Sequence, residues 1–366
     1  MRTYPIPMVP GPVKLPQAVL DAYKTNYGSA DMESEFMELY NKTEAGLKKI
    51  LQTKSQVVIQ SGEGMLALWS ALKSCLLPGD RVLSIATGVF GDGIGDMASS
   101  IGATVKKVSL PYNETISDMS KIEDALVSFK PKMITVVHCE TPSGTLNPIK
   151  QLGQIKKQYN IPLLYADTVA SAGGTPVLSD EWNVDLCLGG SQKCLSSLPD
   201  TSFLSVSNTA WEIINQVNYV GYDALKPFQQ APQKHYFPYT PNWHGIAGLC
   251  AGAALILKEG LENSCARHES VAKYCREKLV EMKFSLFPTP QAIQSPTVTA
   301  VNIPETITWQ EFDARLRHHG LVVGGSYGPL AGKVFRLGHM GTQADMALAE
   351  QALNVLFRVS QEIGIC

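Results

Sequence analysis

Much is missing from this sequence, and each absence closes off a class of function. The eight cysteines fall singly, at Cys75, Cys139, Cys187, Cys194, Cys250, Cys265, Cys275 and Cys366, and none forms a CxxC pair. A zinc site, or any metal site, is therefore not expected. Several of these cysteines lie in apolar runs and read as reduced core thiols, which fits a cytoplasmic or similarly reducing compartment and leaves an organelle open. Charge is sparse at 17%, and 31 basic against 33 acidic residues give a net charge of -2. There is no basic field to attract nucleic acid and no block of like charges to act as an interaction tail. No stretch approaches the roughly 18–20 consecutive apolar residues of a membrane helix, and the opening MRTYPIPMVPGPVKLP lacks the apolar segment of a secretory signal. Internal repeats and low-complexity segments are also absent.

What is present is an ordinary globular composition, 45% hydrophobic over 366 residues, long enough for two domains with substantial cores. Residues 1–16 carry five prolines and no helical pattern, which predicts an extended arm rather than a packed element. Helical periodicity follows over 17–52. Short apolar strands then alternate with helices: strands at 57–60, 81–86, 104–109, 132–138, 162–166, 184–189 and 203–206, with helices near 65–76, 92–101, 118–129 and 149–159. This pattern predicts an α/β domain built on a mainly parallel sheet covered on both faces. Residues 208–245, rich in Tyr, Pro, Gln and Asn, read as irregular, either a loop over a site or a subunit contact. A helix over 246–283, broken near Gly260, leads into a different alternation: strand 297–303, helix 309–318, a Gly-rich turn, strand 333–337 and helix 345–363. The expected division is an arm (1–16), a large domain (17–258) and a smaller α+β domain (259–366).

Four features carry chemistry. Ser61-Gly62-Glu63-Gly64 lies between a strand and a helix, where backbone N–H groups can hold an anion, although a plain turn reads the same way. Asp167, in LLYADTVASAGG, ends an apolar strand; a carboxylate there can keep a heteroaromatic ring nitrogen protonated, or can simply cap a helix. Lys193, in LCLGGSQKCL, follows the next strand. A partly desolvated lysine has a lowered pKa and attacks aldehydes, whereas most lysines are surface residues; Gly189, Gly190 and Ser191 leave room for a planar ring to approach. Arg336, in GKVFRLGHMG, sits on a strand whose neighbours Phe335 and Leu337 point the other way, so it can grip a carboxylate with two parallel hydrogen bonds or join a surface salt bridge. The four together are far more specific than any one.

With VPGP, the PGD turn, TPSGTLNPI, ADTVASAGG, GSQKCL, GLENS and GKVFRLG, these features make the chain resemble the class V aminotransferases of fold type I along nearly its whole length. The resemblance implies a mainly parallel seven-stranded sheet in the large domain, a smaller α+β C-terminal domain, pyridoxal 5'-phosphate as cofactor, and a homodimer with sites at the subunit interface. By position it makes Lys193 the Schiff-base lysine and Asp167 the partner of the ring nitrogen. Phe90, in ATGVFG, becomes the stacking aromatic, and Thr141 the neighbour of the ring hydroxyl. Gln192 and the loop Gly62, Glu63, Gly64 become phosphate contacts, joined by Tyr239 and Thr240 from the other subunit. Arg336 becomes the clamp on the substrate carboxylate. The implied reaction moves an amino group from an amine donor to a small 2-oxo acid, pyruvate or glyoxylate.

Glu63 departs from the pattern, since a small hydroxyl residue is usual beside the phosphate and a carboxylate facing a dianion at short range is costly. The pyridoxamine–pyruvate branch of the family has Gly-Glu there and binds unphosphorylated pyridoxal or pyridoxamine as a substrate. GVFGDG, LPYNE, TPSGT and RLGHMG also resemble that branch, and the expectation leans towards it. GSQKC and GGSYGPLAGKVFRLG resemble the alanine–glyoxylate or serine–pyruvate branch, and Tyr327 stands near where the pyridoxamine branch has a second arginine. In that alternative Glu63 turns away and caps the helix. A fold-type-I lyase and a non-enzymatic binding protein are further alternatives. A cysteine desulfurase would need a histidine where Gln192 stands and a catalytic cysteine between 276 and 365, and the sequence has neither.

Overall fold

The computed structural model describes residues 4–365, so the expectation for Cys366 lies outside the described residues. Seven strands form the larger sheet, in the order Gln56–Ser61, Thr201–Val206, Leu186–Gly190, Leu163–Asp167, Met133–Val137, Arg81–Ala86, Thr104–Ser109. Thr201–Val206 runs antiparallel to both neighbours and every other pairing is parallel. Met133–Val137, Leu163–Asp167 and Leu186–Gly190 are buried along their whole length, because helices cover both faces of a parallel sheet and leave no side for water. Edge strand Thr104–Ser109 is mostly exposed and carries Lys106 and Lys107, charges that discourage further strand pairing.

Most expected elements lie within a few residues of their predicted bounds, and four expectations need correction. The helical stretch over 17–52 is two helices, Gln17–Lys24 and Ser34–Ile50. Residues 208–245 are not irregular throughout: Asn208–Val217 is an amphipathic helix started by Ser207, whose side chain accepts from the Ala210 N–H. Its apolar face (Trp211, Ile213, Ile214) was masked by the polar composition that follows it. The stretch after 318, expected as a Gly-rich turn, contains strand Leu321–Gly325.

That strand recruits part of the N-terminal arm. Ile6–Met8 pairs in parallel with Leu321–Val323 and becomes the edge of a four-stranded sheet completed by Val334–Leu337 and Thr299–Asn302. Met8 is wholly buried in the core of that sheet, so the arm is packed, contrary to the expectation from its prolines. Proline removes a donor without preventing an edge strand. Helices Trp243–Glu259 and Leu261–Glu281 meet at 87° across Gly260, whose φ of +92° suits glycine. Among the described residues no single helix is long and apolar enough to cross a membrane.

Candidate active site

The parallel strands aim their carboxyl ends at one side of the sheet, where open α/β folds collect ligands. Each loop leaving that side delivers part of one pocket. Strand Gln56–Ser61 delivers Glu63 and Gly64, Arg81–Ala86 delivers Phe90, and Met133–Val137 leads to Cys139 and Thr141. Leu163–Asp167 ends on Asp167, and Leu186–Gly190 leads to Gln192 and Lys193. The pocket is partly open, and about 560 Å³ of non-atom space lies in it once the solvent at its mouth is included.

Asp167 is buried and Lys193 half-buried, and loss of water moves both pKa values towards neutrality. Loss of water raises the Asp167 carboxyl to about 6, with Glu63 adding to the rise while the Val169 N–H and the Lys193 charge oppose it. One carboxylate oxygen accepts from the Val169 N–H at 2.9 Å, so the capping role is present as a turn contact, and the carboxylate still lines the pocket. Lys193 is lowered to about 8, first by burial and then by the positive charge of Arg336. Its amine has no carboxylate partner among the described residues and donates instead to the Pro10 carbonyl at 2.5 Å.

Gly189 and Gly190 both lie close against protein. A Cβ on Gly189 would stand 2.2 Å from the Phe203 ring, and one on Gly190 would stand 2.7 Å from Gln192 Oε1 and 3.2 Å from the Gly64 Cα, both in residues that line the pocket.

Glu63 occupies the N-cap of helix Gly64–Cys75 but makes no side-chain cap bond, so the expected alternative of a turned-away cap is not what the structure shows. Its Oε2 accepts from Gln192 Nε2 at 3.3 Å, and both residues line the pocket. That contact orients the Gln192 amide and leaves its Oε1 buried without a partner. A buried acceptor in this state favours a ligand that brings a donor. The helix behind it is twelve residues long, and its first residues, Gly64 and Met65, line the same pocket.

Arg336 does not line this pocket. It is 2% exposed, and its Nε donates to the Gly325 carbonyl at 2.8 Å, with Nη2 donating to the same oxygen. The Tyr327 ring lies 4.7 Å from the guanidinium carbon, and no carboxylate pairs with the arginine among the described residues. Phe335 and Leu337 point into the core, as their alternation predicts. Gly62, Tyr239 and Thr240 lie outside the pocket within one chain. Tyr239 stacks on Tyr222 at 4.3 Å with its buried hydroxyl unpaired, and Thr240 donates to Asp31 at 3.1 Å.

The sequence reading missed Glu140. This wholly buried carboxylate accepts from the N–H groups of Phe90 at 3.2 Å and Gly91 at 2.6 Å, so it anchors the helix that carries the pocket's aromatic. Burial raises its carboxyl to about 8 against the pull of those two donors. Its place immediately before Thr141 was the only signal. Pro10 was missed too, because nothing local links a proline-rich arm to a lysine far along the chain.

The residues present fit a pyridoxal group: a buried carboxylate, a buried amine free of any carboxylate, an aromatic, and an unpaired buried acceptor converge on one pocket. Comparisons with known proteins agree. The family described as aminotransferase class-V matches residues 9–335. An uncharacterized aminotransferase of Methanocaldococcus jannaschii is 34% identical over 98% of this chain and 95% of its own. An alanine–glyoxylate aminotransferase of Oryctolagus cuniculus is 31% identical over 92% of this chain and 87% of its own. The solved structure of a pyridoxamine–pyruvate aminotransferase from Mesorhizobium loti superposes with a TM-score of 0.95 at 30% identity, covering 99% of this chain and 93% of that one.

Proposed function

The chain belongs to the class-V aminotransferases, a family whose cofactor is pyridoxal phosphate, and from that premise we propose that it moves an amino group from pyridoxamine to a small 2-oxo acid, with pyruvate as the acceptor. The observation that carries the choice of donor is the Glu63–Gln192 pair. Both residues line one pocket, and the Gln192 amide holds the Glu63 carboxylate there. A carboxylate at that wall suits the hydroxymethyl group of an unphosphorylated pyridine, which can donate, and opposes a phosphate dianion, which only accepts.

A pyridoxal group bound there supplies an aldehyde that amines condense with and a ring able to store an electron pair released from carbon. Asp167 faces the pocket as a carboxylate at neutral pH and holds the ring nitrogen protonated. Phe90 closes one wall and Glu140 fixes its backbone. Thr141 is the pocket's hydroxyl donor. Lys193 Nζ, neutral above about pH 8, takes a proton from the carbon being oxidised and returns it to the carbon being reduced. Arg336 lies outside the pocket but near enough to Lys193 for its charge to act there, and, with no carboxylate of its own, it would receive that of the oxo acid once freed from the Gly325 carbonyl. Tyr239, with an unpaired buried hydroxyl, and Thr240 would act across a homodimer interface.

A second reading rests on the helix N-terminus at Gly64, an anion site in its own right. In that reading the chain keeps the phosphorylated cofactor and acts as an alanine–glyoxylate or serine–pyruvate aminotransferase. Absorbance titration of the ligand-free protein with pyridoxal and with pyridoxal phosphate separates the two. Tight binding of pyridoxal, weak binding of the phosphate ester, and relief of that bias in Glu63→Ser are expected; tight binding of the ester alone would overturn the pyridoxamine reading.

A further inference from the structure

The N-terminal arm does more than close a sheet. Residues 8–14 are bonded on one side to the small sheet and its following loop: the Gly338 N–H donates to the Met8 carbonyl at 2.8 Å, Gln343 Nε2 to the Val9 carbonyl at 2.7 Å, and the Lys14 N–H to Gln343 Oε1 at 3.3 Å. On the other side the Val13 N–H donates to the Gln192 carbonyl at 3.2 Å, and Lys193 Nζ to the Pro10 carbonyl. Gly11 lies against the lysine stem. A Cβ there would stand 2.5 Å from Lys193 Cδ, 2.8 Å from Nζ and 3.0 Å from Cε.

We propose that Pro10 and Gly11 are positioning residues that hold the free amine of Lys193 between turnovers and leave its stem room to swing towards the ligand. The inference rests on Lys193 being the amine that attaches the ligand. A buried amine without a partner is costly, so the released lysine needs an acceptor. A carboxylate would serve, but it would favour the ammonium form and hold it. A backbone carbonyl accepts from amine and ammonium alike, satisfies the donor and keeps the lysine's charge easy to lose. Clearance is the second requirement. The three atoms a Gly11 Cβ would strike are the end of the side chain, the part that has to move.

The test measures how fast pyridoxal, and separately pyridoxal phosphate, attaches to Lys193 in the ligand-free protein, with the product fixed by borohydride and located by mass spectrometry. Attachment joins amine to aldehyde with loss of one water and needs no oxidant. Gly11→Ala is compared with Gly79→Ala, a control whose φ of +86° matches the +83° of Gly11 but whose added Cβ meets nothing within 4 Å. Gly11→Ala should slow attachment at least tenfold and move its pH midpoint downward, because a buried amine that loses its acceptor protonates less readily, while Gly79→Ala stays within twofold of the wild type. Equal rates for Gly11→Ala and wild type, or an equal loss in Gly79→Ala, would overturn the inference. Should Gly11→Ala not fold, amide exchange at Gly11 and Val13 in the wild type gives the same information. It should quicken at least threefold once pyridoxal is fixed on Lys193, and unchanged exchange would overturn the inference. No attachment in the wild type would instead remove Lys193 from its role, and with it both this inference and the function proposed above.

Discussion

Arg267 and Arg336 are satisfied in opposite ways. Arg267, half-buried where the two long helices bend, uses four of its five N–H donors. Its Nε and Nη2 donate to both oxygens of Glu259 at 2.6 and 2.8 Å, and its Nη1 donates to the carbonyls of Gly341 and Ala344. Arg336 is more deeply buried yet has one carbonyl, one aromatic ring and no carboxylate. Lys193 shares that condition, with only the Pro10 carbonyl. A buried cation left short of a counter-charge is destabilising unless something arrives to meet it. The comparison therefore separates a cation whose anion is built in from two cations that have none, the two for which a ligand role is proposed above.

The comparison can be broken most directly at Lys193. Lys193→Ala should abolish covalent attachment of pyridoxal, and a persisting absorbance band would show that another amine is the site. Next in size, Arg336→Ala should raise the KM for the oxo acid by on the order of a hundredfold, the scale of two lost charge-assisted hydrogen bonds. Thermal stability should hold or improve in that variant, since an uncompensated buried charge is removed; an unchanged KM would place the carboxylate elsewhere. Acidity sharpens the contrast further. Lys193 attacks only as the free amine, and its pKa is lowered to about 8. The attachment rate should climb about tenfold per pH unit below that midpoint and level off above it; a rate still climbing near pH 10 would mean an ordinary, solvated lysine. The smallest effect belongs to Arg267→Ala. Its ion pair is about one-third exposed, so the expected loss is about 1 kcal/mol by chemical denaturation, with KM untouched. A KM change there would show that the helix joint also serves the site.

Several parts of this site were legible from residue order alone. Asp167 and Lys193 sit at or just past strand ends, and a strand end is a local property: an apolar run stops and a polar group follows. Phe90, Thr141 and Gln192 were placed through family motifs rather than through spacing. Glu140 stood in plain view beside Thr141 and was passed over, because a glutamate in a loop reads as solvated until its two N–H partners on another element are known. The arm was misread for a related reason. Its prolines spoke against a helix but were silent on whether Ile6–Met8 would find an open strand edge.

By itself, then, the sequence determined the alternation of strands and helices, the family, and the chemical character of the groups at the strand ends, all of which depend on neighbours along the chain. Tertiary structure decided which groups face one another: Glu63 against Gln192, Arg336 near enough to Lys193 to lower its pKa, and Pro10 as the partner of the lysine amine. Those contacts join residues more than a hundred positions apart, and they exist only because strand order and sheet closure bring distant loops to one side of the fold. Desolvation acts in the same way. Whether a carboxylate or an amine loses its water depends on everything packed around it, and residue order alone does not contain that.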